Sequence, residues 1–356
     1  MDQRLLNKLI TREKEGTLRS LSHFEGFTDF FSNDYLGLAS VDSSTNLSHA
    51  STGSRLISGT SKIALNAEKE LAEFFKSESA LLFNSGYDAN LGFFSSVPQR
   101  GDTIIYDELI HASVRDGIRL SFANQSSFSH NDAADLTKKI KSAKGTIYVA
   151  IEALYSMDGD LSPLRAIQKV CQENNAYLIV DEAHSVGVFG EDGRGFVAAL
   201  ELENKIFARL VTFGKAYGSH GAVIFGSEKL TQFLSNFSRS FIYTTALPDS
   251  TVNRNLSAVL TIDINDRRRK LQLNLAYFRK NFKHSGLLSE VNSPIQILQI
   301  GDVELTNAIA NKLQKNKLAV KPIFSPTVAL GQERLRLCFH TFNTFSEIDL
   351  LINYLH

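Results

Sequence analysis

Two residues at the ends of apolar runs carry the chemistry of this sequence. Asp181 closes the run AYLIVD that starts at Ala176, and Lys215 sits among glycines in TFGKAYGSHG, residues 212–221. Asp181 also opens the tetrad Asp181-Glu182-Ala183-His184, four letters that serve more than one chemistry. In an ATP-driven motor on nucleic acid such a tetrad holds magnesium, which demands an upstream G-x-x-x-x-G-K-[ST] loop to cradle phosphates. No Gly-Lys-Ser or Gly-Lys-Thr occurs; the one Gly-Lys pair, Gly214-Lys215, is followed by Ala216 and lies downstream. Lys plus Arg and Asp plus Glu both total 38, so the net charge gives no footprint for a polyanion and no nucleic-acid partner is expected. A Ser–His–Asp hydrolase would announce itself with a G-x-S-x-G elbow, and none is present. His111, Asp181 and His184 could ligate a metal, but no H-x-x-x-H or H-E-x-x-H pair accompanies them, so no metal is expected.

A lysine at one strand end and a carboxylate at another match the needs of pyridoxal phosphate. An amine must join the aldehyde, and an acid must keep the pyridine nitrogen protonated so that the ring accepts electrons. Each residue has a plainer reading: a solvated loop lysine, an aspartate capping the turn after a strand, and histidines that merely pack. Their coincidence at strand ends favours the cofactor.

The elements that must position them can be read from periodicity. The chain has 356 residues, 43% hydrophobic and 21% charged, enough for two globular domains. Apolar runs predict strands at Ala80–Phe83, Thr103–Tyr106, Thr146–Ile151, Tyr177–Val180, Leu210–Phe213 and Ala222–Phe225. Amphipathic stretches such as Ile63–Phe75 lie between several of them, which argues an α/β fold with a mostly parallel central sheet flanked by helices. Ligands of such sheets sit beyond the carboxyl ends of the strands, where Glu152 and Asp181 fall. From Thr251 to Phe282 a long helix is expected, followed by strand patterns at Ile295–Ile300 and Leu335–Phe339, the makings of a smaller α+β domain. The expected organisation is residues 1–45 packing with the small domain, 46–250 as the large domain and 251–356 as the small C-terminal domain. The run Arg267-Arg268-Arg269-Lys270 is expected to be a solvated helix face. Cys171 and Cys338 are far apart and suggest no disulfide framework. The charged N-terminus lacks the apolar core of a signal peptide, and no run is long enough to span a bilayer. The expected location is the cytoplasm, with no membrane partner.

The chain resembles the α-oxoamine synthases, a group of fold-type-I (aspartate-aminotransferase-like) pyridoxal-phosphate enzymes. The resemblance rests on segments in the family's order: Asn33–Ala39; Thr52–Arg55 with Ser58-Gly59; Asn84–Asn90; His111-Ala112-Ser113; Glu152 with Ser156–Asp160; Asp181–His184; Thr212–Lys215; and Arg334–Leu337. It implies Lys215 as the amine that binds the aldehyde and later takes the Cα proton, Asp181 as partner of the pyridine nitrogen, and His184 on the phenolic oxygen. It implies His111 stacked on the ring; aminotransferases of this fold usually carry a larger aromatic ring there, so a histidine favours the synthase branch. Ser85, Gly86 and Tyr87 with Thr212 are implied at the phosphate, Ser156 near the ring oxygen and Glu152 near the substrate. Thr244 is implied to reach a neighbouring subunit's phosphate, hence a homodimer with shared sites. Arg336 is the implied carboxylate clamp, because a guanidinium forks onto a carboxylate, with Arg19 and Asn33 assisting. Arg334 shares its strand face, and spacing alone does not separate the two. The implied reaction joins L-alanine to a pimeloyl thioester, pimeloyl-CoA or pimeloyl carrier protein. Relatives that use glycine or serine with acetyl-, succinyl- or long-chain acyl thioesters share the same residues. The sequence departs from the family at Ala64, where a histidine is usual, at Ala67 in place of leucine, and in a short segment between Arg19 and Asn33.

Overall fold

The structure, a computed structural model, describes residues 3–19, 23–41 and 47–356. The chain divides into two units, Leu36–Tyr155 with Leu161–Arg268, and Met1–Tyr35 with Ser156–Asp160 and Arg269–His356.

The first unit is built on a seven-stranded sheet of β1 (Ser79–Phe83), β2 (Thr103–Asp107), β3 (Asn124–Phe128), β4 (Ile147–Glu152), β5 (Tyr177–Asp181), β6 (Ala208–Thr212) and β7 (Ala222–Gly226). The strand order is β1-β7-β6-β5-β4-β2-β3. Only β7 runs against its neighbours, so the carboxyl ends of the other six share one edge. Both faces are covered, which is why the strands read as continuous apolar runs. In β5, Ile179 packs in one core cluster while Leu178 and Val180 pack in the other.

The second unit holds a three-stranded antiparallel sheet in which Arg334–Cys338 lies between Lys321–Ile323 and Ile295–Gln299. Among the described residues, no helix is long and apolar enough to cross a membrane.

Three expectations need correction. The strand β3, sequence NQSSF, is absent from the reading above, because a polar edge strand shows no apolar run. The long helix from 251 to 282 is two helices, Asp249–Val259 and Ile264–Asn281. Between them Thr261 Oγ1 bonds Asp263 Oδ1 at 3.0 Å, local side-chain bonding of the kind that competes with helix continuation. Finally, the basic run is only half solvated. Arg267 Nη1 bonds the Leu36 carbonyl at 2.9 Å and Arg268 Nε bonds that of Val188 at 3.1 Å, while Arg269 and Lys270 are exposed.

Glu182, the second letter of the tetrad, is fully buried and serves the frame. Its carboxylate accepts from Arg209 Nε at 2.8 Å, Ser185 Oγ at 2.9 Å and Val197 N at 3.0 Å. Arg209, itself buried, also donates to the carbonyls of Phe75 and Arg194. Removing one member of such a pair leaves a charge without compensation. Arg209→Met is expected to lower stability by about 3–5 kcal/mol, read as a shifted urea midpoint; an unchanged midpoint would show that the pair contributes nothing net.

Candidate active site

The carboxyl edge of the sheet gathers the expected residues of the first unit. Glu152, Asp181 and Thr212 are the last residues of β4, β5 and β6, and Glu152 pairs in register with Asp181. His111 is the N-cap of α2 (Ala112–Leu120), the helix after β2, and Ser85 is the N-cap of α1 (Gly86–Ser96), the helix after β1. Lys215 enters a tight loop in which the Gly218 N–H bonds the Lys215 carbonyl at 2.8 Å. Gly218 has φ +57°, and a Cβ there would lie 2.2 Å from Ala39 N, so the turn requires glycine.

Asp181 is 8% exposed, and its carboxylate is met by donors on both oxygens. Ala183 N–H reaches Oδ1 at 2.9 Å and Asn90 Nδ2 reaches Oδ2 at 2.8 Å. Asn90 belongs to α1, is buried, and also donates to Ser113 Oγ at 3.0 Å. Ser113 in turn lies 2.7 Å from His111 Nδ1. Neither Asn90 nor Ser113 is among the residues expected above, although both fall inside quoted segments. Their meeting depends on a close approach of α1 and α2, where a Cβ on Gly117 would lie 2.9 Å from Phe94 Cβ and 3.0 Å from Asn90 O.

Lys215 Nζ is 2.6 Å from His184 Nε2, and His184 is buried. An ammonium can only donate, so with Lys215 charged the His184 proton sits on Nδ1. Glu152 is 4% exposed. Burial holds its carboxyl well above the ordinary carboxylate range, the Asp181 charge pushes the same way, and Lys215 opposes both. Burial lowers the His111 imidazole, Asp181 opposes that, and Lys215 lowers it further. Asp181 and Lys215 thus act electrostatically on both neighbours.

Beside this cluster lies a set of anion donors. The Gly86 and Tyr87 N–H groups belong to the first turn of α1 and have no partner within the helix by construction. A Cβ on Gly86 would sit 3.7 Å from Thr212 Cβ, which places the turn against the Thr212 side chain. The Ser85 hydroxyl is engaged in capping: it accepts from Asp88 N at 3.0 Å and donates to Asp88 Oδ2 at 2.9 Å. Thr244 comes close to this turn, its hydroxyl accepting from Asn84 Nδ2 at 2.9 Å.

Ser156, Asn33, Arg19 and Arg336 belong to the second unit. There the two arginines left open by spacing part company. Arg334 is 2% exposed and paired with Asp158 Oδ1 at 2.6 Å, with further bonds to the Met157 and Gln332 carbonyls. Arg336 donates to Asn33 Oδ1 at 2.9 Å, the Ser156 carbonyl at 2.7 Å and Cys338 Sγ at 2.9 Å, with no carboxylate among these acceptors. Tyr35, fully buried, also donates to Asn33 Oδ1 at 3.1 Å. Arg19 reaches Thr327 Oγ1 at 2.9 Å.

The donor set fits a phosphorylated pyridine aldehyde. An anionic acid suits a protonated ring nitrogen, an amine at a strand end suits the aldehyde, and a helix start beside a threonine suits the phosphate.

Comparisons agree with that fit. Residues 25–353 match the family model described as aminotransferase class I and II. The chain is 38% identical to an 8-amino-7-oxononanoate synthase of Emericella nidulans, over 91% of this chain and 87% of that one. It is 33% identical to one of Lysinibacillus sphaericus, over 99% and 97%. Among solved structures, an 8-amino-7-oxononanoate synthase of Francisella tularensis superimposes with TM-score 0.79 at 31% identity, covering 93% of this chain and 97% of that one. A serine palmitoyltransferase of S. paucimobilis gives TM-score 0.90 at 24% identity over 99% and 96%, a likeness of fold.

The raised Glu152 carboxyl has a consequence for stability. A group whose folded pKa exceeds its unfolded value stabilises below the unfolded value, about 4.3, and that contribution is lost as pH rises through the folded one. Cofactor-free Glu152→Gln is therefore expected to lose less stability than the wild type on going from about pH 5 to about pH 9. Parallel melting curves across pH would contradict the burial-driven shift.

Proposed function

This chain belongs to the aminotransferase class I and II family, and we propose that it is a pyridoxal-phosphate-dependent acyltransferase of the α-oxoamine synthase group. The reaction condenses L-alanine with a pimeloyl thioester, on coenzyme A or a carrier protein, and releases carbon dioxide and the thiol. The product is 8-amino-7-oxononanoate, a biotin precursor. The observation that carries the reading is the meeting of Lys215 with His184, at the ends of adjacent strands, within electrostatic reach of the Asp181 site.

When bound, the cofactor supplies an aldehyde for an amine and a ring that stores the electron pair left at Cα. Asp181 would keep a proton on the ring nitrogen, because a carboxylate beside a cation favours the charged pair. Lys215 would hold the aldehyde and, as an amine beside His184, would serve as the base for the Cα proton of alanine. His184, beside Lys215 Nζ, would donate to the phenolic oxygen, and the family likeness assigns Ser156 to the same oxygen. His111 would cover the ring face. Gly86 and Tyr87 N–H groups, the Ser85 turn and Thr212 would hold the phosphate, and Glu152, its carboxyl raised by burial, would stand near the substrate. Arg336 forks onto the alanine carboxylate, with Asn33 fixing the guanidinium and Arg19 assisting. Thr244, whose hydroxyl accepts from Asn84 of its own chain, would by the family likeness also reach the phosphate of a second copy in a homodimer with shared sites. Two buried thiols without a disulfide accord with the cytoplasm.

Lys215→Ala is expected to lower turnover by about 10²–10⁴-fold or more while phosphate binding persists; sustained wild-type turnover would refute the role of Lys215. Arg336→Lys is expected to raise KM for alanine roughly 10- to 100-fold, the loss of one or two charged hydrogen bonds, with the thioester KM little changed. Assays with alanine, glycine and serine against pimeloyl, acetyl, succinyl and long-chain thioesters decide the substrates. A preference for glycine or serine would replace alanine in this reading.

A further inference from the structure

The bonds that link Asp181 to His111 fix a proton. A carboxylate accepts only, so the Asn90 amide must turn its nitrogen toward Asp181 Oδ2, 2.8 Å away. The second hydrogen on that nitrogen points to Ser113 Oγ at 3.0 Å. The fully buried Ser113 could accept at its hydroxyl from both Asn90 and His111, but its backbone N–H can only donate, and it reaches His111 Nδ1 at 3.2 Å. Nδ1 is therefore an acceptor, and the one Ser113 hydroxyl hydrogen goes to it at 2.7 Å. A hydrogen on Nδ1 would point at that backbone N–H.

We propose that Asn90 and Ser113 are positioning residues that hold His111 as a neutral imidazole protonated on Nε2 alone. His111 then offers the reaction one hydrogen-bond donor and neither a cation nor a second donor. The anion at Asp181 sets the direction of the Asn90 bonds and the Ser113 backbone N–H sets that of the last one, so cofactor acid and histidine are linked through α1 and α2. The charged and titratable groups acting on His111 are Asp181 on β5, Lys215 after β6 and Asp116 on α2, and Glu152 on β4 takes a hydrogen bond from its backbone. The catalytic sense of this rests on the function proposed above; the proton position does not.

The test is nitrogen NMR of histidine-labelled protein, cofactor-free and loaded, with the His111 signals assigned by comparison with His111→Gln. Between about pH 6 and about pH 8, Nδ1 is expected to remain unprotonated and Nε2 protonated. In Ser113→Ala the hydroxyl donor is gone, so His111 is expected to titrate about 0.5–1 pH unit higher, and the acid limb of kcat/KM to move up with it. Ser113→Thr, which keeps the hydroxyl, is expected to restore the wild-type spectrum. Wild-type His111 protonated on both nitrogens in that range overturns the proposal, as does a Ser113→Ala spectrum identical to wild type. The cofactor-free spectra need no substrate. If they hold while alanine is not condensed, the proposed reaction fails and the proton assignment stands.

Discussion

A carboxylate removed from water must be met by donors and by a positive charge, or it takes up a proton. Asp181 is in that position, and the arrangement around it follows from the requirement. Two N–H donors occupy its oxygens, a lysine acts on the same surroundings, and a protonated ring nitrogen completes the balance once the cofactor is seated. Its neighbour Glu152, on the adjacent strand and buried beside that anion, has its carboxyl held well above the ordinary carboxylate range, by burial first and by the Asp181 charge second.

The frame that makes this possible is stiff. Six strands deliver their carboxyl ends to one edge. Directly after β5 the buried Glu182–Arg209 pair ties that edge to the segments around Phe75, Arg194 and Val197. Gly117 lets α1 and α2 approach until Asn90 and Ser113 touch. Neither feature contacts substrate, yet both set where Asp181 and His111 lie.

Much of this was legible in the sequence, for identifiable reasons. Strands buried on both faces announce themselves as apolar runs, and residues at their ends follow directly, so Asp181, Glu152 and Lys215 could be placed without coordinates. The edge strand at 124–128 could not, since its polar residues carry no apolar pattern. The break near Asp263 was hidden because helical periodicity continues on both sides of it. Arg334 and Arg336 are indistinguishable by spacing; only a partner distant in sequence, Asp158 for one and Asn33 for the other, separates them. Asn90 was hidden for a related reason, because its neighbours on Asp181 and Ser113 lie far along the chain. The second letter of the tetrad gave no hint that its partner is Arg209.

The central claim is that the amine at position 215 is the one that bonds the cofactor aldehyde. Borohydride reduction of the loaded protein, followed by peptide mapping, tests it most directly. The account predicts a pyridoxyl mass on the peptide containing Lys215; that mass on a different lysine, or on none, would contradict it.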